Sequence, residues 1–570
     1  MAVVLVFAAA SFVLVGSATG FASQTAVGDM YREMSDAVGQ WHILWMIRDA
    51  GFSVTGLAST TVTHHPDEVS MVARIAFLPD AFLLAGMQQL FGLYAGYNLA
   101  VWMLLTGLGM AVYLCARRWA AGRIAAVGAG LLVMASPTVA TEAGNGRLYY
   151  LLALAFVALF TAEIPAIIDG QRRAVIMGGI WFALTALAHW FSGLMLVLVV
   201  LIPAGFWLWK AGRKERRGHM LNLAYAVGVA VLLALPVAIY VFSNIDVAPN
   251  PYLAAKKTSI WARMLPWGTM DDAFGRTMEW ALSPLAALES HRLRWGLLVL
   301  VLLLVDRVRK DRIGMVLFGT MFVVGLLVAW GPYVEPAGRG GIRIPLPLYG
   351  LYYVVPFLWR QFWVDRVLLF VDLALAVILA RHATAWLVDR TWKWRMPAVS
   401  VAVLMLLGET ALSGFLPLPA SQAYDRLGST EQATADGLRE FAGRPETGPV
   451  VALPQALFFQ TIHGLHIGRP DLVRKPDGEY FVPSEETLLE LRGMGFTHLV
   501  VFTAGPRVGK DFFENLTGVC PPEDTAKRPA VFRTTLPGRR LEAVLGPPEV
   551  FGVALVYPTG SVVENVPHIQ

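Results

Sequence analysis

Cysteine and charge are both scarce in this 570-residue chain. Only Cys115 and Cys520 occur, the first inside a hydrophobic run and the second near the C-terminus. They are expected on different sides of the mid-plane of an apolar layer, so neither an intramolecular disulfide nor a cysteine metal site is expected. Charged residues make up 15% of the chain and hydrophobic ones 56%, with a mean hydropathy of +0.56. A chain of this size with so little charge is a polytopic membrane protein, not a soluble globule. The formal net charge of +5 sits in clusters between hydrophobic runs, where topology accounts for it, so no nucleic acid partner is expected. The first hydrophobic run, Met1 to Ala22, has no basic segment ahead of it. Small residues in "ATGFAS" would suit a signal-peptide cleavage site, but the missing basic region favours a retained transmembrane helix. Residue 23 begins outside the cytoplasm under either reading.

Runs of about 20 apolar residues cross a bilayer as helix, because every backbone polar group must then be satisfied internally. About eleven such runs are present, near 1 to 22, 97 to 116, 123 to 140, 148 to 168, 174 to 191, 193 to 209, 220 to 242, 288 to 305, 313 to 331, 366 to 387 and 397 to 416. The stretch 77 to 94 is apolar but carries Pro79, Asp80, Gln88 and Gln89, so it is expected as a partly embedded helix that does not span. Charge tests this choice, since short cytoplasmic loops collect Lys and Arg. With 77 to 94 left uncounted, Arg117, Arg118 and Arg123, then Arg172 and Arg173, then Lys210 to Arg217, Arg307 to Arg312 and Arg390 to Arg395 all fall on the cytoplasmic side. The N-terminus is then inside and the C-terminus outside. Of the 18 Trp, 16 Tyr and 30 Phe, many stand near the ends of these runs, where amphipathic rings prefer headgroup level, while ordinary core packing accounts for most.

Four outer segments follow: 23 to 96, 141 to 147, 243 to 287 and 332 to 365. Residues 1–416 form the membrane domain, with amphipathic helices in the outer loop 23–96. After a Pro- and Ser-containing linker, residues 417–570 form a soluble extracytoplasmic domain. There "GPVVALP" and "THLVVFT" read as short buried strands, and "SEETLLELRGMG" reads as a helix with Ser484 as N-cap and Gly493 or Gly495 at its end. A helix followed by a buried β-branched strand indicates a small α/β unit.

In the first outer loop, helical spacing puts Met30, Met34, Val38, Trp41 and Trp45 on one stripe, with Asp29, Arg32, Glu33, Asp36 and Gln40 opposite. Such a helix is expected to lie in the interface, aromatic side down. Asp29 stands directly after Gly28 at the mouth of the first helix, where a carboxylate can face a cavity. Outer arginines suited to bidentate phosphate binding are Arg147, Arg339 and Arg343 in "GRGGIRIP", Arg360 and Arg366. Arg366 is favoured because it opens a transmembrane helix beside Asp365 and Trp363, although an interfacial anchor would have the same pattern. His65, in "HHPDE", is a candidate substrate contact, but the spacing is that of no zinc signature. His189 in "LAHWFSG" lines a cavity or is a hydrogen-bonded structural histidine.

From "GDMYREMSDAVGQWHILWMIRDAGF" through "HHPDE" to "FLPDAFLLAGMQQLFGLYAGYNLAVW" and "MASPTVATEAGNG", and again in "FLWRQFWVDRVLLFVDLALAVILA" and "LLELRGMGFTHLVVF", the order of elements resembles the C-type (GT-C) membrane glycosyltransferases. The resemblance covers most of the chain, but each motif is short. It implies an enzyme of the plasma membrane's outer face that takes a sugar from a polyprenyl-phosphate-linked donor and passes it to a glycan, lipid or protein acceptor. It further implies an essential acidic residue in the first outer loop, best matched by Asp29 and next by Asp36, acting as general base or as ligand to Mg²⁺ or Mn²⁺. A second acidic motif in some relatives corresponds to Glu142 in "TEAGNGR", with Asn145 and Arg147 beside it as substrate contacts. One carboxylate stands there where a stricter pattern has two. A non-catalytic lipid-binding or scaffold protein of the same architecture is the competing expectation. A transporter is disfavoured, since neither symmetrically broken helices nor paired intramembrane charges are visible.

Overall fold

The computed structural model describes residues 1–19, 25–27, 37–53, 78–202, 204–205, 213–244, 312–334, 344–354, 364–388, 420–422, 429–453, 482–503, 510–517, 519–551 and 553–559. The expected runs 288 to 305 and 397 to 416 lie outside them. Among the described residues, five helices are long and apolar enough to cross a membrane, or six if one bent pair counts as a single span.

Helix α1 (Ala2–Thr19) leads to strand β1 (Thr25–Val27), and α2 (Ala37–Asp49) precedes α3 (Leu78–Phe91) and α4 (Leu93–Arg118). Gly92, with φ of 85°, separates α3 from α4, a conformation glycine adopts without steric cost. That break leaves α3 with 14 residues, too short at about 1.5 Å per residue to cross roughly 30 Å of hydrocarbon. After α4 come α5 (Arg123–Met134) and α6 (Pro137–Gly144), bent by 43° at Ala135 and Ser136. The bend is built locally. Pro137 cannot continue α5, and Ser136 caps α6 by accepting from the Val139 amide at 3.1 Å. Next are α7 (Leu148–Ile168), α8 (Arg172–Ala188), and α9 (Trp190–Leu196) running into π turns over Val197–Leu201. Then α10 (Arg213–Asn244), α11 (Arg312–Ala329), strands β2 (Tyr333–Val334) and β3 (Ile344–Pro345), and α12 (Pro347–Val354) follow. A 3-10 turn, Val364–Val367, opens α13 (Leu368–Val388).

One end of this bundle carries Arg117, Arg118, Arg123, Arg172 and Arg173, so neighbouring helices alternate in direction. At that arginine end the Thr384 hydroxyl accepts from the Gly122 amide at 2.5 Å, and Arg381 lies 6.0 Å from the Trp119 ring. The buried Cys115 is also there, and both cysteines are free thiols. The span containing α13 is 89% buried and the span in α10 only 17%, so α13 is the centre of the bundle and α10 its rim. Helix α1 packs into the bundle through fully buried Phe7 and Ser11, and Trp102 Nε1 donates to the Ala8 carbonyl at 2.8 Å. Phe7 fits because Gly109 and Gly130 face it. A Cβ at Gly130 would lie 2.6 Å from the Gly109 carbonyl oxygen and equally close to the Phe7 ring, whereas one at Gly128 would meet nothing within 4 Å. Gly130→Val is expected to cost about 1–3 kcal/mol by overpacking and Gly128→Val far less, read as midpoints of thermal unfolding in detergent.

Strand β4 (Ala420–Gln422) pairs antiparallel with β1, Thr25 opposite Gln422. The chain after the first span and the chain after residue 419 therefore emerge on the same face. Beyond it lie α14 (Ser429–Ala442), β5 (Val450–Leu453), α15 (Glu485–Gly493), β6 (His498–Phe502), α16 (Lys510–Thr517), α17 (Arg528–Thr534), α18 (Leu536–Leu545), β7 (Glu549–Phe551) and β8 (Ala554–Pro558). The strands form a mixed sheet in the order β5-β6-β8-β7, with β5 and β6 parallel and the other pairs antiparallel. Alternate residues of β6 face opposite cores. Leu499 and Val501 pack with Leu488, Phe532 and Leu541, while Val500 and Phe502 pack with Leu438 and Phe441. Burial on both faces explains why "HLVVF" is apolar throughout. Ser484 caps α15 by accepting from the Thr487 amide, and Gly495 takes the positive φ after it, as the sequence predicted.

The first outer loop departs from expectation. Trp41 and Trp45 do not rest on lipid. Both are buried, and Trp41 packs at ring-centroid distances of 5.4 Å from Tyr94 and 5.1 Å from Tyr97. Gln40, expected on a solvated face, is buried too. Helix α2 is covered on several sides because α3 and α4 both lean on it, which periodicity alone does not reveal.

Candidate functional site

The end of the bundle opposite the arginines gathers polar side chains from α6, α7, the α8–α9 junction and the turn before α13. Glu142 lies in the last turn of α6, and Arg147 follows a reversal in which Gly146 takes φ of 72°. That reversal brings the Arg147 amide to the Glu142 carbonyl at 2.9 Å. The two side chains meet as well, Arg147 Nη1 lying 3.6 Å from Glu142 Oε2, with only 7% and 3% of their side chains exposed. Asn145 is buried in the same turn.

Arg366 reaches this group from the far end of the sequence. It is buried in the 3-10 turn, and its Nη1 donates to the Tyr150 hydroxyl at 2.5 Å. The guanidinium carbon also sits 4.8 Å from the centroid of the Tyr150 ring. Glu142 acts electrostatically on both Tyr150 and Arg366, and Arg147 acts on Tyr150, so the four side chains form one coupled cluster. His189, at the junction of α8 and α9, completes it. Its ring stacks on Tyr149 at 5.0 Å and lies 4.2 Å from the Tyr150 ring centroid. The Ser192 amide donates to His189 Nδ1 at 3.2 Å, so the neutral ring carries its proton on Nε2. His189 is thus both cap and wall, which joins the two sequence readings of that residue.

The arrangement can hold an anion. A guanidinium carries five N–H donors in a planar fork, so holding the Tyr150 hydroxyl with Nη1 does not exhaust Arg366. Arg147 pairs with Glu142, and Arg366 presents its planar fork to the same end of the bundle, a geometry suited to a phosphate. Among the described residues, no group of three or more His, Cys, Asp or Glu could hold a metal ion. Glu142, expected as a metal ligand together with Asp29, is paired here with Arg147, and Asp29 lies outside the described residues.

Glu142, Asn145, Arg147 and Arg366, expected from sequence as substrate contacts, are thus brought to one end of the bundle. Asp29, Asp36, His65, Arg339 and Arg343 lie outside the described residues. Sequence reasoning missed Tyr149 and Tyr150. The available signal was "RLYY", two tyrosines opening a helix directly after an outer arginine.

No protein-family model matches the chain, and no curated protein matches its sequence. Solved structures do match. ArnT from Cupriavidus metallidurans in the apo state has a TM-score of 0.52 at 14% identity, covering 98% of this chain and 97% of that one. The same protein bound to undecaprenyl phosphate gives 0.50 at 12% identity, with 98% of both chains covered. Arabinofuranosyltransferase AftD from mycobacteria gives 0.51 at 14% identity, covering 88% of this chain but 35% of that one. The oligosaccharyltransferase of Archaeoglobus fulgidus in complex with Zn and sulfate gives 0.50 at 14% identity, covering 96% of this chain and 71% of that one.

Proposed function

Because this chain has the fold of the C-type membrane glycosyltransferases, we propose that it moves a sugar from a polyprenyl-phosphate-linked donor to an acceptor on the outer face of the plasma membrane. The observation that carries the reading is the buried Arg366–Tyr150–His189 cluster at one end of a bundle of this fold. The arginine end is cytoplasmic by the positive-inside rule, which puts the cluster and the C-terminal sheet outside. Crossing numbers agree, since the about eleven expected spans place residues 23 and 417 on the same face, as the β1–β4 pairing requires. Residues 1–416 are the membrane domain and 417–570 the soluble one.

Arg366 binds the donor phosphate, with Asn145, Arg147, His65, Arg339 and Arg343 as further substrate contacts. The acceptor hydroxyl oxygen bonds to the anomeric carbon as the carbon–oxygen bond to phosphate breaks. The electron pair leaves on the phosphate, where a cationic fork stabilises the developing charge. The hydroxyl proton passes to a carboxylate, for which Asp29 is the first choice and Asp36 the second. No step is routed through a metal.

Mass spectrometry of lipids retained by the wild-type protein in mild detergent, against a mock preparation, tests the reading. Enrichment of a polyprenyl phosphate or its glycosylated form is expected, and Asp29→Asn is expected to keep the lipid while abolishing transfer. Recovery of bulk phospholipid alone would overturn it. The Glu142–Arg147 pair favours a second reading, a non-catalytic lipid-binding or scaffold protein, because it neutralises the only carboxylate of the second acidic position. Full transfer activity would remove that alternative.

A further inference from the structure

Both ends of the acidic segment of the first outer loop are tied to one face of α4. Residues 28–36, with Asp29, Glu33 and Asp36, lie between β1, which ends at Val27, and α2, which begins at Ala37. On the first side, the Val27 amide donates to Asn98 Oδ1 at 3.0 Å. On the second, the Trp41 ring packs on Tyr94 and Tyr97. Tyr94, Tyr97 and Asn98 stand at i, i+3 and i+4, so they share a face at the start of α4. Ala26 and Val27 are fully buried in the core of the membrane domain. Successive amides of a strand point to opposite edges. Strand β4 covers one edge of β1, with Val27 opposite Ala420, and Asn98 takes the Val27 amide on the other. Helix α4 is itself fixed to α1, by Trp102 on the Ala8 carbonyl and by the Thr106 hydroxyl donating to Ser11 Oγ at 3.2 Å. The frame that carries Asn98 therefore does not depend on the loop.

We infer that Asn98 and β4 are positioning elements for sugar transfer: they hold the entry to the acidic segment, and through β4 the C-terminal chain bears on the reaction. The inference rests on the transfer reading above, in which a carboxylate of this segment takes the acceptor proton. Asp29 lies outside the described residues, but the covalent chain limits it. It is two residues from Val27, and two extended residues reach at most about 7 Å. Whatever fixes Val27 therefore confines Asp29. Confinement matters to rate, because a misplacement of about 1 Å can cost about 10²-fold. Asn98 is otherwise a poor choice for its position. Asparagine is a weak helix former and an expensive group at an apolar boundary, and leucine would serve both helix and lipid better. Its carbonyl oxygen is accounted for by the Val27 amide, a buried N–H that needs an acceptor. The pairing of β1 with β4 spans three residues on each strand, and so short a two-stranded ribbon is marginal by itself. It is held because β1 is anchored on its other edge by Asn98 and packed into the core by Ala26 and Val27.

Hydrogen–deuterium exchange of the full chain in nanodiscs, read beside turnover, tests this. Asn98→Leu removes the acceptor, and Ser421→Pro places a proline in the middle of β4, which a paired strand does not accommodate. Both should speed exchange of peptides covering residues 25–27 by about tenfold, the worth of one hydrogen bond. Asn98→Asp keeps an accepting oxygen and Ser421→Ala keeps the backbone, so both should match wild type. With the glycosylated polyprenyl phosphate extracted from wild-type preparations as donor, Asn98→Leu and Ser421→Pro should lower kcat about tenfold and leave KM within about twofold. A merely structural bond would lower the thermal midpoint and leave kcat per folded molecule unchanged. Wild-type exchange in both variants, or wild-type kcat in both, overturns the inference. Asp29→Asn keeps the two readings apart. Full turnover in it removes Asp29 as proton acceptor, whereas an inactive Asp29→Asn beside a fully active Asn98→Leu removes only the positioning role. Should Ser421→Pro misfold by size-exclusion chromatography, Asn98→Leu alone decides.

Discussion

Arg366→Ala is expected to lower sugar transfer by about 10²-fold, the scale measured when one preorganised donor to a developing oxyanion is removed, and to abolish retention of undecaprenyl phosphate. The size follows from the position. Arg366 is a buried guanidinium already fixed by the Tyr150 hydroxyl and held against its ring, so little ordering remains to be done when phosphate arrives. Arg366→Lys keeps the charge but loses the planar fork, and an intermediate loss is expected. Tyr150→Phe keeps the ring and removes only the hydroxyl that orients Arg366, so about a five- to tenfold loss is expected, the value of one hydrogen bond. Measured transfer rates near wild type in Arg366→Ala would sink the assignment of phosphate binding to this cluster.

A comparably large effect, on stability this time, is expected from Arg147→Ala. Glu142 and Arg147 are paired with almost no solvent contact, and removing one partner of a buried pair costs up to about 3–5 kcal/mol, since Glu142 is then left with one cation fewer to offset its charge. Glu142→Gln in the same chain removes that charge, so the double variant should recover most of the lost stability, measured as thermal midpoints in detergent. The cycle separates a structural pair from a metal ligand. Were Glu142 a ligand, Mg²⁺ or Mn²⁺ should stabilise Arg147→Ala more than wild type, because the competing guanidinium is gone. Additive single-variant effects with no recovery in the double variant would show that the pair does not hold this turn.

Much of the fold is legible in local pattern. The apolar run 148 to 168 and helix α7 coincide, as do the run 97 to 116 and the core of α4, because a helix that must satisfy its backbone internally announces itself by length and hydropathy. Gly92 and Pro137 mark breaks that are decided by their own backbone constraints. The strands "VVAL" and "HLVVF" and the capped helix between them are equally local, with Ser484 and Gly495 at its ends. The expected count of about eleven spans is not readable from described helices alone, since α9 turns into π geometry and α11 is short in its apolar part.

The site divides in the same way. Arg366 was recognisable as a charged residue opening an apolar helix, and Glu142, Asn145 and Arg147 as polar residues in a short outer turn, since each is improbable at membrane depth without a reason. That Arg366 would meet Tyr150, 216 positions earlier, and that His189 would lie against the same ring, was decided only when the bundle brought the turn before α13 and the α8–α9 junction to the start of α7. The tertiary structure likewise turned Trp41 from a lipid-facing anchor into a buried ring packed against Tyr94 and Tyr97. Sequence period assigns a residue to a face of its own helix. It does not say what stands opposite that face, because burial depends on which helices the bundle brings alongside, and that choice is made by the summed packing of the whole chain.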